Sequence, residues 1–254
     1  MIDNENRIGA FTNSKISLLL QKGTGVKPFG AGALTYIKTR KAERRLGRSV
    51  DAGASTQAMV WGKIMEAFLY TQEKYFPMGS GYSLSNKETV THPKYKFWAG
   101  SPDVLSAQAA GEIKCYYLEK YMEISEALIN LKKGSITLDD FKNEFKEEYW
   151  QVVGNATIIN KPQCVIFVYT PTLDELEDCI LMLQETNFGE KLGLDPWQYR
   201  FMLEAKEREQ LFKLPYIDPL KSDWPNFVKH EFQPPADDVI FLTKRVLEAE
   251  KLLS

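Results

Sequence analysis

Two strand-like runs, residues 96–105 and 111–116, restrict the fold of this chain more than any other feature. Both are flanked by apolar residues and are joined by a short connection containing Gly and Ala, the pattern of a β-hairpin. Side chains alternate faces along a strand, so Glu112 and Lys114 leave one side while Ile113 and Cys115 leave the other. Asp103, nine residues before Glu112, falls on the partner strand, where hairpin pairing brings its carboxylate to the same edge.

Around this hairpin the elements run helices first, then strands, then a mixture. Periodicity predicts helices over residues 33–45, 56–72 and 145–160, and a buried, β-branched strand over 164–169 after Lys161 and Pro162. The expectation is an α/β fold: a central mixed β-sheet flanked by helices, with helical additions at the N- and C-termini. With 254 residues, 44% of them hydrophobic, the chain is read as a single domain, 1–254. Its core spans about residues 55–170, with N-terminal helical residues 1–50 and C-terminal helical additions over 171–254. A charged insertion at 117–144 is expected to be helical over 118–131, to break at Gly134, to restart with Thr137 as N-cap, and to lie outside the core. In residues 237–253, Val239, Leu242, Val246, Ala249 and Leu253 share one helical face, expected to pack on its own domain, with a subunit contact as the alternative.

A formal net charge of -2 excludes a protein that coats nucleic acid by being basic overall, so DNA contact has to come from local residues. Three cysteines, without CxxC or Cys/His spacing, suggest neither a disulfide framework nor a zinc site and point to a reducing, cytoplasmic setting. The polar start and the lack of a long apolar run predict no signal and no membrane partner.

Two carboxylates converging with a lysine suit phosphodiester hydrolysis. Carboxylate oxygens fit a hard cation such as Mg2+, with Mn2+ as its substitute, and Lys114 can orient or deprotonate the attacking water. A glutamate and a lysine two residues apart are equally ordinary on a solvated strand face, so this pattern alone leaves both readings open.

The sequence Ser101-Pro102-Asp103 followed by Glu112-Ile113-Lys114 resembles the signature of the PD-(D/E)XK nucleases, whose core is restriction-endonuclease-like. Further blocks are similar to the lambda exonuclease-like, YqaJ-type viral recombinase branch. Trp61-Gly62-Lys63-Ile64-Met65-Glu66 resembles its upstream helix, Glu148-Tyr149-Trp150-Gln151 its downstream helix, and Arg7 to Ser14 its 5'-phosphate segment. The resemblance implies metal binding by Glu66, Asp103, Glu112 and the Ile113 carbonyl. It implies that Lys114 and Gln151 position the water and the scissile phosphate, and that Arg7, Ser14 and Ser101 hold a terminal 5' phosphate. It also implies a Mg-dependent 5' to 3' exonuclease on linear duplex DNA with a 5' phosphate, leaving 3' overhangs for phage-type recombination in a bacterial or phage-infected cell. The partners it implies are a single-strand annealing protein and further copies of the chain, as in a trimeric ring. Val104 stands where the family commonly has glycine, the 117–144 insertion is long for this branch, and residues after Gln151 are unmatched.

Alternatives on the same fold are an endonuclease or a nuclease of other polarity. A terminal-phosphate pocket built on Arg7 and Ser14 has no evident use in an enzyme that cuts internally. A non-catalytic DNA-binding protein with a decayed site would be expected to lack one of Asp103, Glu112 and Lys114. An iron–sulfur nuclease needs four cluster cysteines, one more than the chain has.

The densest basic run is Lys38, Arg40, Lys41, Arg44, Arg45 and Arg48, of which Lys41, Arg44, Arg45 and Arg48 share one helix side. That side reads either as a phosphate track or as a solvated face. Tyr36 and Trp61 read as core aromatics with base stacking as the alternative, and His92 and His230 as structural.

Overall fold

The computed structural model describes residues 5–25, 27–50, 55–85 and 88–253; the first four residues of the polar start lie outside them. A short strand, β1 (Phe11–Thr12), runs into a 3-10 stretch, Asn13–Leu20. Helix α1 (Ala31–Leu46) stops at Gly47, whose φ of 63° is the left-handed geometry that glycine adopts without a Cβ penalty. Helix α2 (Gln57–Leu69) begins where Thr56 accepts the Met59 amide. Strands β2 (Tyr82–Leu84), β3 (Val90–Thr91), β4 (Trp98–Gly100), β5 (Val104–Ser106) and β6 (Ala109–Lys114) follow. Helices α3 (Leu118–Lys133), α4 (Leu138–Glu144) and α5 (Lys146–Ile158) then cross over to β7 (Gln163–Tyr169). Helices α6 (Leu173–Glu185), α7 (Phe188–Lys191) and α8 (Pro196–Glu207), strand β8 (Phe227–Phe232) and helix α9 (Ala236–Glu250) complete the chain.

The central sheet has the order β2-β5-β6-β7-β8. Only β6 and β7 pair in parallel, as a helical crossover allows, and the other neighbours are antiparallel. Alternation along β7 divides the core: Cys164, Ile166 and Val168 pack toward α5, while Val165, Phe167 and Tyr169 join the side chains of α2, α6 and α8. On β6, Ala110 faces the first of these layers and Ile113 the second, which places Glu112 and Lys114 on the α5 side. Among the described residues no helix is long and apolar enough to cross a membrane.

Three expectations are corrected. The run 96–105 is not one strand, because it breaks at Ser101, Pro102 and Asp103. Proline has no ladder N–H, and the chain changes sheets here: β4 lies between β1 and β3 in a separate three-stranded sheet, whereas β5 joins the central one. The 117–144 insertion is not peripheral. It has the helical boundaries expected, with Gly134 left-handed and a Thr137–Asp140 capping box, but Tyr121, Ile124, Leu128 and Phe141 are fully buried in the core cluster on the α5 side of the sheet. The C-terminal additions are not only helical, since β8 extends the central sheet along β7. The predicted apolar face of α9 does pack inward, with Leu242, Val246 and Ala249 buried.

Candidate active site

The site is built at the end of the β5–β6 hairpin. The Asp103 amide donates to the Gly111 carbonyl at 2.9 Å, so Asp103 sits opposite Glu112 just beyond the Val104–Gly111 pair. The Asp103 Oδ2 accepts the Ile113 amide at 2.9 Å. In a strand the carbonyl of a residue points to the same side as its amide, so the Ile113 carbonyl faces the Asp103 carboxylate.

Glu112 is only 2% exposed, and donors surround it. Lys114 Nζ lies 3.1 Å from Oε2, and Gln151 Nε2 donates to the same oxygen at 2.5 Å. Gln151 Oε1 in turn accepts from Lys114 Nζ at 2.8 Å, closing a three-residue ring. Asn155, one turn beyond Gln151 on α5, donates Nδ2 to Glu112 Oε1. Behind it Asn13 Nδ2 donates to Asn155 Oδ1 at 2.7 Å, and Trp98 Nε1 donates to Asn13 Oδ1 at 2.6 Å.

A pocket of ≈ 220 Å³ opens beside this network, and its lining includes Glu66, Asp103 and Gln151 together with Arg7, Ser14 and Ser101. Residues separated by most of the chain's matched length thus meet in one cavity. Glu66 is half-buried on α2, and its Oε1 accepts from Tyr70 Oη at 2.7 Å. Trp61, Ile64, Met65, Phe68 and Leu69 form the buried stripe of α2, leaving Glu66 at its margin. At Gly62 an added Cβ would lie 3.4 Å from the Cys115 carbonyl, so the helix passes close to the end of β6. Ser101 Oγ shares a hydrogen bond with Thr89 Oγ1 at 3.0 Å. Arg7 is exposed at the end of a short 3-10 turn, and among the described residues its guanidinium has no carboxylate partner.

Electrostatics distinguish these groups. Burial, and then the charges of Glu112 and Glu66, push the Asp103 carboxyl well above the carboxylate range, against Lys114 and the Ile113 amide. Burial also raises Glu112, with Lys114 opposing. Burial pulls Lys114 down, but Glu112 and Asp103 outweigh it and hold the ammonium protonated. Tyr70 is raised by burial and by Glu66 and Asp103, so it remains a proton donor. Three carboxylates within electrostatic reach, with one ammonium among them, form an all-oxygen donor set with surplus negative charge, which fits a hard divalent cation. Among the described residues no three His, Cys, Asp or Glu side chains already surround a common point. Glu66 is turned to Tyr70, and Glu112 to its three donors.

Asn13 and Asn155 escaped sequence reasoning. The available signal was faint: Asn155 lies four residues after Gln151, hence on the same helix face, within the apolar run Val152 to Ala156. The basic track on α1 is only partly available for DNA. Arg40 is buried, 2.9 Å from Glu43 and over the Tyr36 ring. Arg44 forms two 2.8 Å bonds to Glu250 and donates to the Gly9 carbonyl at 2.8 Å, fastening α1 to the chain's two ends, while Arg45 and Arg48 remain exposed. Tyr36 and Trp61 are both core residues. His92 accepts the Lys94 and Tyr95 amides and stacks on Trp98, and His230 pairs opposite Ile166 in β8.

The fold defined by this sheet and its helices is that of a group of exonucleases of known structure. An alkaline exonuclease from Laribacter hongkongensis superposes with a TM-score of 0.58 at 14% identity, covering 98% of this chain and 90% of that one. The same enzyme in complex with dAMP gives 0.59 and 15%, covering 99% and 91%. A phage related exonuclease from Haemophilus somnus 129PT gives 0.57 and 12%, covering 96% and 93%. At these identities the likeness is one of fold. No protein-family model and no curated protein matches the chain.

Proposed function

We propose that this protein is a metal-dependent DNA exonuclease that digests one strand of linear duplex DNA from a phosphorylated 5' end. The observation that carries this reading is the single pocket in which Glu66, Asp103 and Gln151 meet Arg7, Ser14 and Ser101. Acidic groups suited to a cation and donors suited to a phosphate line one cavity, as hydrolysis next to a chain end requires. The exonuclease names of the solved structures with this fold support the same class.

Glu66, Asp103, Glu112 and the Ile113 carbonyl would hold Mg2+ or Mn2+, which when bound lowers the pKa of water and offsets charge on the phosphate. The remaining work belongs to the chain. Arg7 offers a planar fork of donors to a terminal phosphate, and the Ser14 and Ser101 hydroxyls add single donors. Lys114, held as an ammonium, donates toward the attacking oxygen and the scissile phosphate rather than accepting a proton. Gln151 fixes the Lys114 and Glu112 side chains relative to each other through both ends of its amide. The product would be duplex DNA with 3' single-strand overhangs, the substrate that a single-strand annealing protein of phage-type recombination takes up.

The test is incubation with Mg2+ and linear duplex labelled at either end, with and without a 5' phosphate, beside a Lys114→Ala control. Stepwise loss from the phosphorylated 5' end, absent in the control, is the expected result. Cleavage of closed circles would replace this reading by an endonuclease, and DNA binding without cleavage by a non-catalytic protein.

A further inference from the structure

The chain Trp98–Asn13–Asn155–Glu112 has a fixed direction. An indole N–H can only donate, so Asn13 must turn its oxygen to Trp98 and its NH2 to Asn155. Asn155 must then present its own NH2 to Glu112, where a carboxylate can only accept. Neither amide can flip without placing two oxygens or two NH2 groups face to face, at a site where Asn13 is 2% and Asn155 1% exposed.

Glycines make room for the pair. A Cβ at Gly100, on β4, would collide with both asparagine side chains, and one at Gly154, on α5, would collide with Asn13. The amides are therefore clamped between two backbones. Asn13 begins the 3-10 stretch and directly precedes Ser14, which lines the same pocket as Arg7.

We infer that Asn13 and Asn155 are positioning residues: they orient Glu112 for cation binding and lock it to the amino-terminal segment that carries Arg7 and Ser14. This rests on the nuclease reading only for its use, since the orientation of Glu112 is a property of the fold. Lys114 and Gln151 hold one carboxylate oxygen, and Asn155 holds the other. Loss of the relay frees Glu112 to rotate, and the cost falls on the cation.

The experiment is Mn2+ affinity by electron paramagnetic resonance on the full chain without DNA, beside hydrolysis of end-labelled duplex and a circular-dichroism melt. Asn155→Ala should weaken Mn2+ about tenfold or more, the scale of losing a hydrogen-bond partner of a metal ligand. Asn13→Asp is isosteric and never touches Glu112. In its ionised form it keeps the acceptor for Trp98 but offers only oxygen to Asn155, which must then turn its own oxygen toward Glu112, so an equal loss is expected at a pH where the new carboxyl is ionised. Trp98→Phe releases only the far end and should cost roughly two- to fivefold, a fraction of the same effect. In hydrolysis kcat should fall with KM nearly constant.

A role in packing alone predicts that the isosteric Asn13→Asp is milder than Asn155→Ala, and that ordering overturns the inference. So does Mn2+ affinity within twofold of wild type in Asn155→Ala and Trp98→Phe chains that melt normally. Graded Mn2+ losses in the variants, with a wild-type chain that hydrolyses no DNA, leave the relay standing and remove the nuclease reading. Hydrolysis indifferent to all three variants does the reverse.

Discussion

Two buried glutamates, on opposite sides of the central sheet, have opposite electrostatic fates. Glu112 is 2% exposed and Glu175 4%. Around Glu175 the Thr172 amide, Tyr75, Tyr169 and Asn226 all donate, and Lys74 lies 2.6 Å away. Burial pushes that carboxyl up, but Lys74, Thr172 and Tyr75 outweigh it and hold it below the ordinary value. It is a completed joint, tying the start of α6 to β7 and to the segment before β8. Glu112 also has donors, but Asp103 and Glu66 crowd the same site, and both Glu112 and Asp103 are held above the ordinary range. A buried carboxylate whose charge is fully answered is architecture; one that shares too few cations with its neighbours is left with charge that a cation could answer.

Neutralising each carboxylate environment in turn separates the two. Asp103→Asn and Lys114→Ala should each lower hydrolysis about a thousandfold, the scale on which single positioned groups act in active sites. Asp103→Asn should meanwhile leave the thermal midpoint unchanged or raise it, because a repulsion is removed. End-labelled assays and a melt of the same preparation check both halves. Glu175→Ala should do the opposite, destabilising by about 3 kcal/mol because Lys74 and four further donors lose their acceptor. Urea unfolding measures that loss, and the folded fraction should keep wild-type specific activity.

Arg7→Ala sharpens the other half of the pocket. The preference for phosphorylated over unphosphorylated 5' ends should fall roughly tenfold, the worth of one charged hydrogen bond, with no change in the melt. The smallest effect concerns pH. The contribution of Glu175, whose folded value is depressed, is complete above about pH 4.3 and is lost as pH falls through the folded value. Asp103, whose folded value is raised, works in reverse: stability is lost as pH rises above about 3.9 through its folded value. Metal-free urea titrations should therefore show Glu175→Gln removing an acid-side loss and Asp103→Asn removing a loss at higher pH. Slopes of the same sign in both variants would refute the contrast.

Much of the site was legible because its pieces are local. The alternation that puts Glu112 and Lys114 together and the hairpin that returns Asp103 to them follow from backbone periods over a few residues, whereas the helical period alone marks Glu66 as a surface residue. The break at Pro102 could have been anticipated from its missing N–H, yet which sheet received each half depended on β1, β3 and β2, strands of two or three residues with almost no pattern of their own. The burial of α3 and α4 was hidden by their charged outer faces. Arg44 looked like part of a phosphate track because its partner, Glu250, stands at the far end of the chain.

The sequence alone determined the local chemistry: an α/β order of elements, a hairpin bearing two carboxylates and a lysine, and a separate arginine and serine of phosphate-binding type. The tertiary structure decided that Asp103 of the hairpin shares one cavity with that arginine and serine. It also decided that Glu112 is held by Asn155, which accepts in turn from Asn13, 142 residues from it in sequence. Backbone periodicity is short-ranged and can be read residue by residue, whereas a buried polar relay exists only where two glycines let separate backbones close around it.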